Sequence, residues 1–161
     1  MPNFKINIYL KLIFLISLVA TLSAYYIEYI MGYQPCNLCL IERIPYLLSL
    51  VLLLINFKFK INEKYLVLIL ILIFFSSLII SLYHYGIEQG FFQESILCNV
   101  KNGANILTKD ELLRELQKMV VSCKDVTFRI FGLSLTTINI LLSLLIIILL
   151  IKIFIFYEKN K

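Results

Sequence analysis

The chain has 161 residues, 61% of them hydrophobic, with a mean hydropathy of +0.92, which is more apolar than a soluble domain carries. Its net charge of +5 comes from 15 basic and 10 acidic residues. Those charges are segregated between loops, so the basic balance reads as membrane topology and gives no support for nucleic-acid binding.

The first apolar block runs from Leu12 to Ile27 and follows Lys5 and Lys11. A cleaved signal peptide has that order, but this block is longer than an ordinary h-region and no small-x-small site follows it. A retained transmembrane helix is expected. The next stretch, Pro35-Cys36-Asn37-Leu38-Cys39-Leu40-Ile41-Glu42-Arg43, sets a Cys-x-x-Cys at the mouth of a second apolar block, Ile44 to Phe57. That block is short for a span, but Leu38, Leu40 and Ile41 extend it upstream. Gly32 and Pro35 break the first helix, and Pro45 suits the first turn of the second. Cys39 is therefore expected at or just before a helix N-terminus, where the helix dipole and Arg43 favour a thiolate. Glu42 reads as a solvated or Arg43-paired residue at the interface.

A basic linker with Lys58, Lys60 and Lys64 leads to the third block, Tyr65 to Tyr83, and His84 near its end reads as an interfacial side chain. A long loop from about Gly86 to Arg129 follows. Within it Thr108-Lys109-Asp110-Glu111 has the form of a capping box. Leu112, Leu113, Leu116, Met119 and Val120 then recur at helical spacing, which predicts a short amphipathic helix. The last block runs from Ile130 to Ile151. The fold class expected is thus an all-α membrane protein: a four-helix transmembrane bundle with two outer loops, in a single domain over residues 1–161.

Lys5, Lys11, Lys58, Lys60, Lys64, Lys152, Lys159 and Lys161 share one side, against Glu63 and Glu158 alone. Basic loops stay cytoplasmic, so both termini are expected there. All four cysteines then fall on the other side, Cys36 and Cys39 in the first outer loop, Cys98 and Cys123 in the second. Disulfides persist in such oxidising compartments, and an even number suggests Cys36–Cys39 and Cys98–Cys123, although four cysteines permit three pairings.

A Cys-x-x-Cys serves redox exchange, metal binding or structure. Zinc favours two tight ligand pairs, and Cys98 and Cys123 do not form a second one. As a staple the short loop restrains little chain entropy. Redox exchange is the favoured use. Turnover then requires an electron sink, and a membrane-dissolved quinone reaches the mouth of a helix bundle from the lipid side. A fixed guanidinium such as Arg43 can hold a carbonyl-bearing ligand and stabilise negative charge on it. No phosphate-binding glycine loop and no Ser-His-Asp order is present.

These residues resemble the DsbB family, bacterial inner-membrane thiol:quinone oxidoreductases. The resemblance rests on the Cys-x-x-Cys after Pro35, Arg43 four residues past Cys39, and Tyr83-His84-Tyr85-Gly86-Ile87-Glu88. It extends to the two-cysteine second loop and Phe131-Gly132-Leu133-Ser134 opening the last helix. It implies that the protein reoxidises a periplasmic thioredoxin-fold dithiol oxidase (DsbA-like). Cys98 would form the mixed disulfide with that partner and Cys123 would exchange with Cys36. Cys39 would pass electrons to a bound quinone (ubiquinone or menaquinone), with Arg43 and His84 beside it. The chain departs from the family in having no Trp, with Phe128 and Ile138 in those neighbourhoods, and Glu42 stands where many relatives carry Gln. A specialised DsbB paralogue serving a dedicated partner and a non-catalytic disulfide-stapled membrane scaffold are the alternatives. A quinone reductase resembling vitamin K epoxide reductase fits less well, because there the Cys-x-x-Cys lies late in the chain.

Overall fold

The computed structural model describes residues 2–59, 62–93, 98, 122–124, 128–130 and 132–159. The expected amphipathic helix around 108–120 lies outside them. The helices are α1 (Pro2–Tyr29), α2 (Asn37–Ile41), α3 (Ile44–Phe59), α4 (Glu63–Glu88) and α5 (Leu135–Lys159). Two short strands, β1 (Arg129–Ile130) and β2 (Leu133–Ser134), pair antiparallel just before α5.

Four stretches are long and apolar enough to span a membrane: Ile6–Tyr29, Asn37–Phe59, Glu63–Glu88 and Leu135–Tyr157. The second begins upstream of Ile44, as the apolar residues there predict, although a turn at Glu42 and Arg43 separates α2 from α3. The fourth starts later than expected. Arg129, Ile130, Leu133 and Ser134 are spent on the paired strands β1 and β2, and Gly132 beside β2 has φ +82, a backbone conformation costly for any residue with a Cβ.

Each long helix buries a stripe at intervals of three, four or seven residues, the pattern of helix bundles. Ile6, Leu10, Ile13 and Ser17 form it on α1, Tyr46, Ser49, Leu53 and Asn56 on α3, and Leu66, Leu70, Phe74, Ser77, Ser81 and His84 on α4. Thr136, Ser143, Ile146, Leu150 and Ile153 form it on α5. Each stripe is polar toward the cysteine end and largely apolar toward the other, although Asn56 of α3 is a buried polar residue at that second end. The apolar halves meet in one core cluster that includes Leu10, Leu53, Phe74 and Leu150. The opposite helix faces carry exposed Leu15, Val19, Val51, Leu72, Phe75, Leu145 and Ile148, as expected of surfaces solvated by lipid. Small hydroxyl residues join the helices where the core thins: Ser49 Oγ donates to Ser17 Oγ at 3.1 Å, and the Ser77 and Ser143 hydroxyls pair at 3.3 Å.

The α4 C-terminus is closed at Gly90, φ +77. The Phe91 N–H bonds to the Gly86 carbonyl at 2.8 Å and the Gly90 N–H to the Ile87 carbonyl at 3.0 Å, a Schellman motif. The chain turns back so that the Phe92 ring covers Gly86, where a Cβ would collide with it, and stacks on Tyr83 with centroids 5.6 Å apart.

Candidate functional site

The polar ends of the four stripes converge at the end of the bundle that carries the cysteines. Cys36 and Cys39 are disulfide-bonded, as are Cys98 and Cys123, the pairing expected from the sequence. Cys36, Cys98 and Cys123 are buried in one cluster with Leu38 and Ile87, against which Cys39, Ile41 and Tyr83 pack. The second pair thus shares that cluster with the first, although 59 to 87 residues of chain separate their members in sequence. Thiol–disulfide exchange needs that proximity.

Local geometry assigns the two sulfurs different surroundings. Cys36, and not Cys39, is the N-cap of α2: its Sγ accepts the Cys39 backbone N–H at 3.2 Å. Cys39 is instead the third residue of that helix, and it lines a cavity of about 480 Å³. Arg43, Tyr46, Thr136 and Asn139 also border this cavity, whose remaining wall is mostly apolar. Leu15 and Val19 belong to that wall and are exposed on the outer face of α1 as well, so the cavity borders the surface that lipid would cover.

Arg43 is held against the cavity by two residues of α1. It pairs with Glu28 and lies over the Tyr25 ring at 5.3 Å from the centroid. Glu42 therefore is not the partner of Arg43, contrary to the sequence reading, and it is not solvated. It is 7% exposed and accepts from two other helices: its Oε1 meets His84 Nδ1 at 2.9 Å and its Oε2 accepts from Asn139 Nδ2 at 3.1 Å.

His84 departs from expectation in the same way. It is 1% exposed and, being behind Glu42, does not line the cavity. Its Nε2 lies 3.6 Å from Cys36 Sγ, and its Nδ1 is also 3.2 Å from Thr136 Oγ1. The network continues through Thr136 Oγ1, which donates to Glu88 Oε1 at 2.6 Å, while Ser134 Oγ donates to Glu88 Oε2 at 2.7 Å. Asn139 Nδ2 also donates to Ser81 Oγ at 2.8 Å, and the Tyr46 hydroxyl donates to Asn139 Oδ1. Polar groups this deep in an apolar bundle persist only when bonded to one another.

Glu28, Tyr25, Tyr46, Glu88, Thr136 and Asn139 were not singled out in the sequence. The signal that marks most of them is the stripe itself. Glu42 in the turn before Tyr46 and Ser49 of one helix, Ser77, Ser81, His84 and Glu88 on another, and Thr136, Asn139 and Ser143 on a third are polar residues at core spacing in or beside apolar blocks. The arrangement offers a buried disulfide with a nitrogen base at one sulfur and a lipid-facing cavity with a cation at the other.

The family model for Disulfide bond formation protein DsbB matches residues 7–153. An uncharacterized protein of Rickettsia prowazekii (strain Madrid E) is 32% identical over 150 residues, which is 91% of this chain and 86% of that protein. No solved structure matches the chain significantly.

Proposed function

The chain belongs to the DsbB family of disulfide oxidoreductases, and from that premise we propose that it is a membrane thiol oxidase that reoxidises a DsbA-like periplasmic partner and passes the electrons to a membrane quinone. The observation that carries this reading is the burial of the two disulfides in one cluster, beside a cavity that Cys39 and Arg43 line. In the proposed relay the partner's dithiol reduces Cys98–Cys123. That pair then exchanges with Cys36–Cys39, Cys123 attacking Cys36 and displacing Cys39 as the thiolate nearest the cavity.

The residues lining the cavity fit a quinone. Its wall is largely apolar, as a prenylated ring needs, and at its polar border the Arg43 guanidinium is the donor offered to a carbonyl oxygen. A quinone bound there supplies a sink for two electrons and two protons. Arg43 contributes a fixed positive charge, which stabilises both a Cys39 thiolate and negative charge on an oxygen. Glu28 and Tyr25 hold that guanidinium in place. In the orientation given by the lysines, the cysteine end faces the periplasm and both termini the cytoplasm.

The test is reconstitution of the full chain in lipid with a reduced thioredoxin-fold dithiol oxidase and a soluble quinone analogue. Partner thiols should disappear in step with quinone reduction. A protein that exchanges no thiols with the partner and consumes no quinone would be the disulfide-stapled scaffold instead.

A further inference from the structure

His84 carries a hydrogen-bond arrangement that fixes which of its nitrogens can exchange a proton. We propose that Glu42 and the Thr136–Glu88 pair lock His84 with its hydrogen on Nδ1, making Nε2 the proton donor and acceptor for Cys36. This deepens the thiol-oxidase reading and rests on it, because it takes Cys36 to be a sulfur that exchanges.

The argument is an accounting of donors and acceptors. Glu88 is a carboxylate that receives hydrogen bonds from the Ser134 and Thr136 hydroxyls at 2.7 and 2.6 Å. The single Thr136 hydroxyl hydrogen is thereby committed, and its oxygen can only accept from Nδ1 at 3.2 Å. Glu42 Oε1, at 2.9 Å from Nδ1, is also an acceptor. Its other oxygen takes the Asn139 amide hydrogen at 3.1 Å. The Asn139 orientation is set in turn, since its nitrogen donates to Ser81 Oγ and its oxygen receives the Tyr46 hydroxyl. Ser81 spends its own hydrogen on the Ser77 carbonyl at 2.9 Å, so it must accept from Asn139. Both groups facing Nδ1 are therefore acceptors, and Nδ1 keeps its hydrogen whether the ring is neutral or charged.

Nε2 is left to gain and lose the proton, and it faces sulfur. Both sulfurs of the first disulfide lie within 4.8 Å of the ring, but the hydrogen-bond approach, at 3.6 Å, is to Cys36. When an exchange breaks a disulfide bond at Cys36, the electron pair stays on its sulfur and Nε2–H supplies the proton. When Cys36 and Cys39 re-form their disulfide, the Cys36 S–H proton passes to Nε2, the new S–S bond forms, and the two electrons leave to the quinone of the proposed relay. Among the described residues, the charged groups around the ring are Glu42 from the α2–α3 turn and, through Thr136, Glu88 from α4. Arg43 is turned away to Glu28. Cys39 is thus served by the arginine and Cys36 by the histidine, which separates the two sulfurs chemically. Glu42, Thr136 and Glu88 act through His84 and are positioning residues.

His84 is the single histidine of the chain, so ring-¹⁵N-histidine labelling of the full-length protein in lipid nanodiscs gives two resonances that need no assignment by mutation. In the oxidised protein, Nδ1 should stay protonated across the titration while Nε2 alone changes. Glu42→Gln should reverse this. Its amide oxygen would take the Asn139 hydrogen bond and its NH₂ would face Nδ1, moving the neutral ring's hydrogen to Nε2. Thr136→Val should lower the Nδ1–H share, and Thr136→Ser should restore it. In reduced protein, Cys36 alkylation near neutral pH, resolved from Cys39 by mass spectrometry, should slow on the order of 10²-fold in Glu42→Gln. A wild-type neutral ring carrying its hydrogen on Nε2 overturns the proposal, as does a folded Glu42→Gln protein with an unchanged tautomer. If that variant does not fold, the wild-type titration decides alone. Partner oxidation by the same wild-type preparation is read separately. Its failure removes the thiol-oxidase reading, whereas a wrong tautomer in an active protein removes only the lock.

Discussion

Arg43 pairs with Glu28, fifteen residues back on α1, and not with its neighbour Glu42. The two glutamates have divided the work: Glu28 holds the Arg43 cation, and Glu42, which also lines the cavity, bonds the histidine behind it. Arg43→Ala should therefore raise the apparent KM for a quinone analogue and slow turnover on the order of 10²-fold, the usual cost of losing one preorganised charge. A single stopped-flow exchange with the reduced partner should remain nearly normal. Arg43→Lys should recover part of the loss, because a point charge remains without the planar fork. Glu28→Gln should give a weaker version of the same phenotype, about fivefold in KM, since it loosens the guanidinium without removing it. Collapse of partner exchange with unchanged quinone kinetics would instead assign Arg43 to docking.

Cys36→Ser and Cys39→Ser should each abolish quinone-dependent oxidation of the partner. Cys36 is buried in the cluster that holds the second disulfide and Cys39 lines the cavity, so neither can replace the other. Oxygen-free assays that follow partner thiols and quinone absorbance together would expose any residual turnover. Near-wild-type rates in either variant would sink the relay.

The orientation is tested by thiol labelling. After reduction, a membrane-impermeant maleimide added to spheroplasts should reach the cysteine end from the periplasmic side. Buried Cys36, Cys98 and Cys123 should react more slowly than Cys39, which is only partly buried. Labelling confined to inverted vesicles would reverse the topology drawn from the lysines.

The spans and the cysteine chemistry were legible because both are strong one-dimensional signals. An uncharged run such as Tyr65 to Tyr83 has few structures open to it, and a Cys-x-x-Cys beside a helix start has few uses. The turn at Glu42 and Arg43 and the paired strands beside Gly132 were not legible, since each interrupts an apolar run that hydropathy alone continues. The polar network was hidden for another reason. Glu42, His84 and Thr136 lie 42 and 52 residues apart in sequence, and only the packing of α4 against α5 and the α2–α3 turn brings them together. Charge near a loop reads as solvated until its helical phase is counted. Glu42 is in phase with Tyr46, Ser49 and Leu53, and His84 with Ser81, Ser77 and Phe74, which places both inside.

That phase argument leads to a stability prediction at Asn139. Its amide joins three helices, donating to Glu42 and to Ser81 and accepting from Tyr46. Asn139→Leu keeps the volume but removes every one of these bonds at once. Glu42 would be left with a buried carboxylate oxygen lacking its donor, and Tyr46 with a hydroxyl lacking its acceptor. Leaving such a group unpaired costs about 1–3 kcal/mol, more when it is charged, whereas an interhelical hydrogen bond in a membrane bundle is worth only about 0.6 kcal/mol. Ser143→Ala removes neutral hydroxyl bonds only, to Ser77 and to Tyr46, and serves as the reference. Reversible unfolding in mixed detergent should therefore show Asn139→Leu destabilised by about 2–4 kcal/mol and Ser143→Ala by less than about 1 kcal/mol. Asn139→Asp should be at least as damaging as the leucine, because it sets a second carboxylate against Glu42 in a low-dielectric interior. Equal stabilities for the leucine and alanine variants would mean that Glu42 finds its partners elsewhere.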